Sequence, residues 1–246
     1  MAEGLLLLHA FPLDARMWDP QLAAFDTVGV PVLAPHLPGF GGTGSAGEVM
    51  TMASAADRCL EELDRADVER AVVCGLSMGG YVALELWRRA PERFAGLVLA
   101  NTKSGADSEE AAAGRRRLAE RLREEGTAFL AEDPPPLLSE AAPPELRALV
   151  RTLIADQPAD AIAAAALGMA ERPDSTPDLA GISVPALVVT SSGDGLIPPE
   201  VTSPMAEQIP DAELVIIQGA GHLSNLEAPG EFNDLLEAHV RRSGLL

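Results

Sequence analysis

Length, composition and charge exclude several classes of function at the outset. The chain of 246 residues is long enough to bury a sizeable core, and its length suits one α/β domain with an insertion. Its 18 Lys and Arg against 37 Asp and Glu give a formal net charge of −19, which repels nucleic acids and anionic membrane surfaces, so we expect neither as a partner.

Cysteine content and hydropathy favour a cytoplasmic protein. Cys59 and Cys74 do not indicate a disulfide framework, and we interpret both as small apolar residues in a reducing compartment. The apolar run at residues 5–8 is too short for a signal peptide and follows Glu3 instead of basic residues. No apolar run approaches the roughly 20 residues that span a bilayer.

Short apolar runs alternate with stretches of helical periodicity along most of the chain. Because strands that alternate with helices form right-handed crossovers, the pattern predicts a parallel sheet. The predicted strands cover residues 5–8, 30–34, 71–76, 94–100, 184–190 and 212–217. The predicted helices outside the long insertion cover residues 17–25, 52–65, 78–90, 199–208 and 229–242.

Residues 102–180 follow a different pattern. They contain only helical periodicity, interrupted by proline clusters at 134–136 and 143–144. We interpret this segment as a helical cap inserted after the fourth strand into a core domain made of residues 1–101 and 181–246.

Residues 71–86 predict a buried strand, a glycine-lined turn with one serine, and a helix. The turn has the pattern G-x-S-x-G, in which Ser77 takes a strained backbone conformation and Gly75 and Gly79 avoid collisions. A phosphate-binding loop is the alternative, but no Lys follows and G-x-G-x-x-G is absent. Ser77 is therefore the predicted nucleophile, displayed at the carboxyl end of the sheet.

A serine hydroxyl needs a base, and His222 is the best placed of the four histidines. It lies in a glycine-rich turn just after the last predicted strand, at the same edge of the sheet as Ser77. We expect His9 and His36 to hold loops by hydrogen bonds, and His239 to face solvent on the terminal helix.

The base needs a carboxylate to orient it, and we predict Asp194 for this role. It lies in a Ser-Ser-Gly-Asp-Gly turn after the fifth predicted strand. Asp107 and Asp211 are weaker alternatives, and the position after the fourth strand is occupied by Asn101 instead of a carboxylate.

Ser77, Asp194 and His222 follow one another in the chain order of α/β hydrolases, and the sequence resembles the serine-nucleophile branch of that superfamily. Residues 9–12 are similar to its oxyanion loop and residues 38–41 to its loop after the next strand. The resemblance implies an α/β-hydrolase fold with about six mainly parallel strands flanked by helices. It also implies an oxyanion hole formed by the backbone N–H groups of Phe11 and Met78.

Three features depart from the family pattern. Ala10 stands where relatives usually have Gly, and His36 stands where many have Asp. The first predicted strand corresponds to the third strand of the family, so we expect the N-terminal strands to be missing and the sheet to lack an antiparallel member.

These residues together predict a serine hydrolase that cleaves a small carboxylic ester through an acyl-enzyme, with no metal or organic cofactor. The resemblance extends to small carboxylesterases and to 3-oxoadipate enol-lactonases, whereas Ser at position 77 argues against the dehalogenases and epoxide hydrolases of the family. A lactone hydrolase and a small-molecule receptor with incidental hydrolysis are the alternatives. Acyl transfer, C–C bond hydrolysis and the oligomeric state stay open.

The predicted cap should select the substrate, which we expect to be an ester or lactone with a short to medium acyl group. Its arginines could bind a substrate carboxylate, although a solvated helix face is the favoured interpretation. These arginines are Arg115, Arg116, Arg117, Arg121 and Arg123. The apolar residues that could line the site or form the core of the cap are Phe129, Leu137, Leu138, Leu153, Ile154 and Met169.

Overall fold

Six parallel strands form the centre of the computed structural model, which describes residues 2–26 and 28–246. The order across the sheet is β2-β1-β3-β4-β5-β6, and every neighbouring pair is parallel. The prediction of a parallel sheet of six strands is confirmed, and the described residues add no antiparallel strand. The strands are β1 (Ala2–Leu8), β2 (Val32–Leu33), β3 (Val68–Leu76), β4 (Phe94–Ala100), β5 (Ala186–Ser191) and β6 (Ala212–Ile217).

Helices connect the strands. The described part of the chain contains α1 (Asp19–Phe25), α2 (Met52–Arg65), α3 (Met78–Arg89), α4 (Glu109–Glu125), α5 (Ala128–Glu132), α6 (Pro144–Ala155), α7 (Ala159–Glu171), α8 (Pro199–Thr202), α9 (Pro204–Gln208), α10 (Ser224–Glu227) and α11 (Pro229–Arg242). Helices α4 to α7 all lie between β4 and β5, in the segment that the sequence predicts to be a cap.

The apolar runs are buried because they lie in the middle of the sheet. Residues 5–8 of β1 have no exposed surface, and the register pairs Leu6 with Val73 and Val73 with Leu97. A strand between two others in a parallel sheet is covered by helices on both faces, so nearly every side chain is apolar. The central strands were therefore predictable to within two residues at most ends.

One edge strand and one helix differ from the prediction, whereas the other edge strand, β6, has the predicted limits. The predicted strand at 30–34 shortens to Val32–Leu33, because Pro31 has no N–H to donate and only its carbonyl bonds to the sheet, accepting from the N–H of Leu5 at 2.8 Å. The predicted helix at 199–208 divides into α8 and α9, since Pro204 begins a new helix instead of continuing the first.

Segment 102–180 packs closely on the loop that precedes α2. The N–H of Met50 donates to the carbonyl of Ala164 in α7 at 3.0 Å, and a Cβ added to Gly168 would lie 1.7 Å from the Met50 carbonyl oxygen. Small residues along α7 allow this approach, which explains its high alanine content. Helix α4 also packs against α7.

His239 corrects one expectation. The residue is buried on α11, where it shares the inner face with Phe232, Leu236 and Val240, so the prediction of a solvent-facing side chain is wrong. Both cysteines are buried and unpaired, and burial raises the pKa of the Cys59 thiol to about 12 and also raises that of Cys74. Among the described helices, none combines the length and apolar character that crossing a membrane requires.

Candidate active site

Ser77 lies in a strained turn between β3 and α3. Its backbone has φ 55° and ψ −114°, a region that side-chain-bearing residues rarely adopt. A Cβ on Gly75 would lie 2.2 Å from the Gly79 carbonyl oxygen, and one on Gly79 would lie 2.0 Å from that of Leu8. The Ser77 N–H donates to the carbonyl of Ala100 in β4 at 2.9 Å. The turn therefore requires glycine at both flanking positions, as the sequence pattern indicates.

Asp194 and His222 form a buried pair. Nδ1 of His222 lies 2.8 Å from Oδ2 of Asp194, and neither side chain is exposed. The other carboxylate oxygen accepts the N–H groups of Leu196 at 2.9 Å and Ile197 at 2.8 Å. Although burial by itself raises the pKa of Asp194, the hydrogen bonds from His222, Ile197 and Asn101 hold it below its usual value.

This pairing decides which nitrogen of His222 can act as a base. Because an ionised carboxylate can only accept, Nδ1 must carry the proton, and Nε2 of the neutral ring is then the acceptor. Nε2 is buried and makes no hydrogen bond to any part of the chain that the structure describes. Asp194 and His222 are thus joined directly, whereas no hydrogen bond joins His222 to Ser77.

The two predicted oxyanion donors lie on the loop after β1 and at the start of α3. Met78 is the first residue of α3, so its N–H has no acceptor within the helix. Phe11 lines the same cavity as Ser77, and its N–H donates to no acceptor in the described residues. Both groups are therefore available to a ligand.

A cavity of about 280 Å³ opens above Ser77. Phe11 and Tyr81 contribute aromatic surface, and several aliphatic side chains from segment 102–180 and from the loop after β5 complete the apolar wall. Those residues are Leu118, Leu137, Met169, Leu196 and Ile197. Of the apolar residues predicted to line the site or to form the core of the cap, Leu137 and Met169 line the cavity, and Leu153 and Ile154 are buried in the hydrophobic core.

The sequence profile of the alpha/beta hydrolase family matches residues 5–235. This chain belongs to the alpha/beta hydrolase family. The match covers the strained serine turn, the Asp194–His222 pair and the sheet from the middle of β1 onwards, and it ends within α11.

Two solved structures and one further relative are similar to this hydrolase along nearly its whole length. An esterase from Thermogutta terrifontis, solved with malate bound, is 40% identical, with a TM-score of 0.94 over 99% of this chain and 92% of that one. The enol-lactonase from Burkholderia xenovorans is 28% identical, with a TM-score of 0.88 over 98% and 92%. The pimeloyl-[acyl-carrier protein] methyl ester esterase of Aromatoleum aromaticum is 30% identical over 96% of this chain and 98% of its own.

Asn101 is a site residue of the hydrolase that the sequence reasoning missed. Its Nδ2 donates to Oδ2 of Asp194 at 2.9 Å and to Ser191 Oγ at 2.7 Å, while its Oδ1 accepts from Ser224 Oγ at 2.6 Å. The side chain is fully buried, and its φ of 45° is one that Asn tolerates better than most residues. Its position directly after β4 was the available signal, because that position adjoins the end of β5 at the carboxyl edge.

The loop that carries His222 is tied to segment 102–180. The Glu227 carboxylate accepts the N–H of Gly221 at 2.8 Å, the N–H of Ser139 at 3.0 Å and the Ser139 hydroxyl. The N–H of Leu223 also donates to the Leu137 carbonyl at 2.9 Å. Glu227 therefore positions the loop of His222.

His9 and His36 hold loops, as predicted. Nε2 of His9 accepts the N–H of Leu37 at 3.1 Å, and burial lowers the pKa of His9 to about 4, so the ring is neutral. Nδ1 of His36 accepts the N–H of Ala15 at 3.3 Å. Both rings stabilise the turns around the candidate oxyanion loop.

Neither alternative acid contacts a histidine in the described residues. Asp211 lies before β6 and pairs with Arg242. Asp107 lines the cavity but is held by three cations: Lys103 at 3.2 Å, Arg172 at 3.0 Å, and Arg115. In the described residues no group of three or more His, Cys, Asp and Glu side chains is arranged to hold a metal ion.

The five arginines at 115–123 do not behave alike. Arg116 and Arg117 are exposed, as the solvated-face interpretation predicts. Arg121 lies over the ring of Phe129, 3.7 Å from its centroid. Arg123 donates to the Glu48 carbonyl at 3.1 Å, and Arg115 lines the cavity of Ser77.

Proposed function

We propose that this hydrolase cleaves small carboxylic esters through an acyl-enzyme formed on Ser77. The observation that carries the proposal is the buried Asp194–His222 pair, which leaves Nε2 of His222 as an unpaired acceptor at the edge of the sheet where the Ser77 turn ends. That is the arrangement a serine nucleophile needs, because its hydroxyl must lose a proton during attack.

In the proposed reaction, Ser77 Oγ attacks the ester carbonyl while His222 Nε2 takes the hydroxyl proton. The ionised Asp194 stabilises the resulting imidazolium, and the N–H groups of Phe11 and Met78 bind the oxyanion. His222 then returns the proton to the leaving alcohol. Water attacks the acyl-Ser77 in a second cycle of the same steps, which releases the acid. We further propose that residues 102–180 form a cap that shapes the substrate cavity.

Similarity to named enzymes supports ester chemistry in particular. Two of the relatives above are esterases and one is an enol-lactonase, and a lactone is a cyclic ester that the same groups would open. The partly apolar cavity of about 280 Å³ favours a substrate with a short to medium acyl group. Lactone hydrolysis is therefore the second candidate.

The test is a series of p-nitrophenyl esters from acetate to octanoate, assayed beside a fluorophosphonate label. Ser77→Ala should lower kcat/KM by about 10⁴-fold or more and abolish labelling. Ser203→Ala, which changes a serine outside the cavity, is the matched control and should leave both unchanged. Hydrolysis or labelling that survives in Ser77→Ala would overturn the mechanism, and tight ligand binding with negligible turnover would favour a receptor.

A further inference from the structure

We propose that Arg115 and Lys103 form a carboxylate-binding subsite in the cavity of Ser77, so that the preferred substrates are esters carrying a second, free carboxylate. This subsite presupposes the ester-hydrolase function proposed above and names its substrate class.

The first supporting observation is an imbalance of charge among two cations of the cavity wall, Lys103 and Arg115, and the neighbouring Arg172, which does not itself line the cavity. Lys103, Arg115 and Arg172 surround the single carboxylate of Asp107. Although burial by itself raises the pKa of Asp107, the hydrogen bond from Arg115 and the charges of Arg115 and Arg172 lower it to about 2, so it stays ionised. One negative charge offsets one of three positive charges, which leaves an excess of two in a protein whose net charge is −19.

Acidic groups on the far side of the cluster do not remove this excess. Glu85 lies near Lys103 and Arg172, in the wall of a small neighbouring cavity. Its carboxylate pairs with Arg88, which also binds Asp178, so these three groups carry one net negative charge. They lower the excess from two to one without cancelling it. The only carboxylate among the described residues that line the cavity of Ser77 is that of Asp107.

The three cations divide into one that is structural and two that are available. Arg172 is buried, donates to the carbonyls of Met169 and Gly105 at 2.8 Å each, and lies 3.9 Å from the centre of the Tyr81 ring. Holding segment 102–180 against α3 accounts for all of these contacts. Both terminal nitrogens of Arg172 are therefore engaged. Its Nε makes no hydrogen bond in the described residues, but it is buried, and Arg172 does not line the cavity of Ser77.

Arg115 keeps most of its donors. Only its Nε is engaged, with Asp107, and its two terminal nitrogens make no hydrogen bond within residues 2–26 and 28–246. Lys103 makes a single contact with Asp107. Their side chains are 24% and 26% exposed, and both line the cavity that contains Ser77.

A carboxylate matches these free donors better than a neutral group. The terminal nitrogens of a guanidinium form a planar fork that binds a carboxylate, and the adjacent ammonium adds a second charge. Apolar neighbours such as Leu118 and Met169 keep water away and so strengthen the attraction. A purely structural role for the cluster would explain Nε of Arg115 and the two terminal nitrogens of Arg172, but not the free donors of Arg115 and Lys103 that line the cavity.

The experiment compares the monomethyl and dimethyl esters of straight-chain dicarboxylic acids with four to eight carbons. The two esters share the acyl chain and the leaving group and differ in one negative charge. In wild type, kcat/KM per ester bond should be at least about tenfold higher for the monomethyl ester. Arg115→Gln should lower the ratio of monomethyl to dimethyl kcat/KM by about 10- to 100-fold, the range expected for a charge-assisted hydrogen bond.

Arg116→Gln is the matched control, because it makes the same charge change on the same helix at an exposed position outside the cavity. Its ratio should equal that of wild type. A second readout in wild type is competitive inhibition, in which the free dicarboxylate should inhibit more strongly than its neutral diamide. If Arg115→Gln does not fold, the ratio of monomethyl to dimethyl kcat/KM is measured in Lys103→Gln, which keeps the Arg115–Asp107 pair. A ratio below that of wild type supports the subsite, and an equal ratio overturns it.

Equal ratios in wild type, Arg115→Gln and Arg116→Gln, with both esters hydrolysed, would overturn the subsite and leave the ester-hydrolase function intact. A fall of the ratio in Arg116→Gln as large as in Arg115→Gln would also overturn it, because long-range charge would then be sufficient. If wild type hydrolysed neither these esters nor the p-nitrophenyl series, the proposed function itself would fail.

Discussion

Replacing Asn101 by alanine should destabilise the fold and raise the pKa of Asp194. The Asn101 side chain takes part in three buried hydrogen bonds, with Asp194, Ser191 and Ser224. Alanine can make none of them and would leave the partners buried with fewer bonds. It would also have to adopt the φ of 45° that Asn101 has in the wild-type turn.

The magnitude follows from these contacts. A bond to a neutral partner contributes about 1 kcal/mol net, and one to an ionised carboxylate about 1.5 to 3 kcal/mol. The left-handed backbone costs alanine about 1 kcal/mol more. The expected loss is therefore about 4 to 6 kcal/mol in the free energy of unfolding, or roughly 10 to 20 °C in Tm for a chain of this size.

The pH dependence separates the carboxylate bond from the rest of the effect. Because the pKa of Asp194 is lowered in the folded protein, its ionised form stabilises the fold above the unfolded pKa of about 3.9, and this contribution is lost as the pH falls through the folded pKa. Without Asn101 the pKa of Asp194 in the folded protein is higher. The difference in free energy of unfolding between wild type and Asn101→Ala should therefore be largest at pH 7 and smaller at pH 3. Thermal unfolding of both proteins between these pH values measures the change.

Asn101→Gly is the matched control, since it loses the same three bonds but tolerates the positive φ. It should recover up to about 1 kcal/mol of the loss. A deficit of Asn101→Ala below about 1 kcal/mol at pH 7, or one that is the same at pH 3 as at pH 7, would refute this account of Asn101.

Two further predictions concern positioning and burial. Glu227→Gln replaces one acceptor oxygen by an NH₂ group that faces the donors of Ser139 and Gly221, so the His222 loop is less well fixed. The kcat for ester hydrolysis should therefore fall about tenfold, with little change in KM. Exposed Glu231→Gln is its control, and equal kcat in the two variants would contradict the role of Glu227. Burial lowers the pKa of His239 to about 4 in the folded protein. As the pH falls below about 6.5, the unfolded chain therefore binds a proton at this residue before the folded protein does. His239 alone should thus lower the free energy of unfolding by about 3 kcal/mol by pH 4. Urea unfolding at pH 7 and pH 4 should show a smaller fall in the free energy of unfolding for His239→Leu than for wild type. An equal fall in the two proteins would count against a buried neutral His239.

The positions of the central strands and of the edge strand β6 could be predicted from the sequence, but the length of the edge strand β2 could not. Runs such as residues 5–8 are apolar throughout because both faces of an inner parallel strand are covered. At the edges this constraint weakens. Leu214 and Ile216 of β6 are 41% and 39% exposed, and β2 keeps only two residues beside Pro31. Apolar character alone therefore predicts too long a strand for β2.

The candidate site shows a similar division. Ser77, Asp194 and His222 each follow a strand at the carboxyl edge, and the sequence indicates them as candidates because their residue types are those that acyl transfer needs. Asn101 occupies an equivalent position, but an Asn after a strand is ordinary turn chemistry, and only the contact with Asp194 gives it a role.

Arg115 illustrates a second kind of limit. Successive residues of a helix point about 100° apart, so three arginines in a row necessarily face three directions. Which of them meets the cavity depends on how α4 packs on α7, and that packing is not encoded in the local sequence. The burial of His239, in contrast, could have been read from its spacing of three residues from Leu236 on the inner face of α11.

The bonds from Glu227 to Ser139 and from Leu223 to Leu137 have a consequence for engineering this hydrolase. A chimaera that exchanged residues 102–180 for the corresponding region of a relative would also remove the support beneath the His222 loop. Residues 137–139 should therefore be kept with the parent scaffold, and the boundaries of a transplanted module should be drawn on either side of them. Such an exchange would leave the bonds that hold the His222 loop in place.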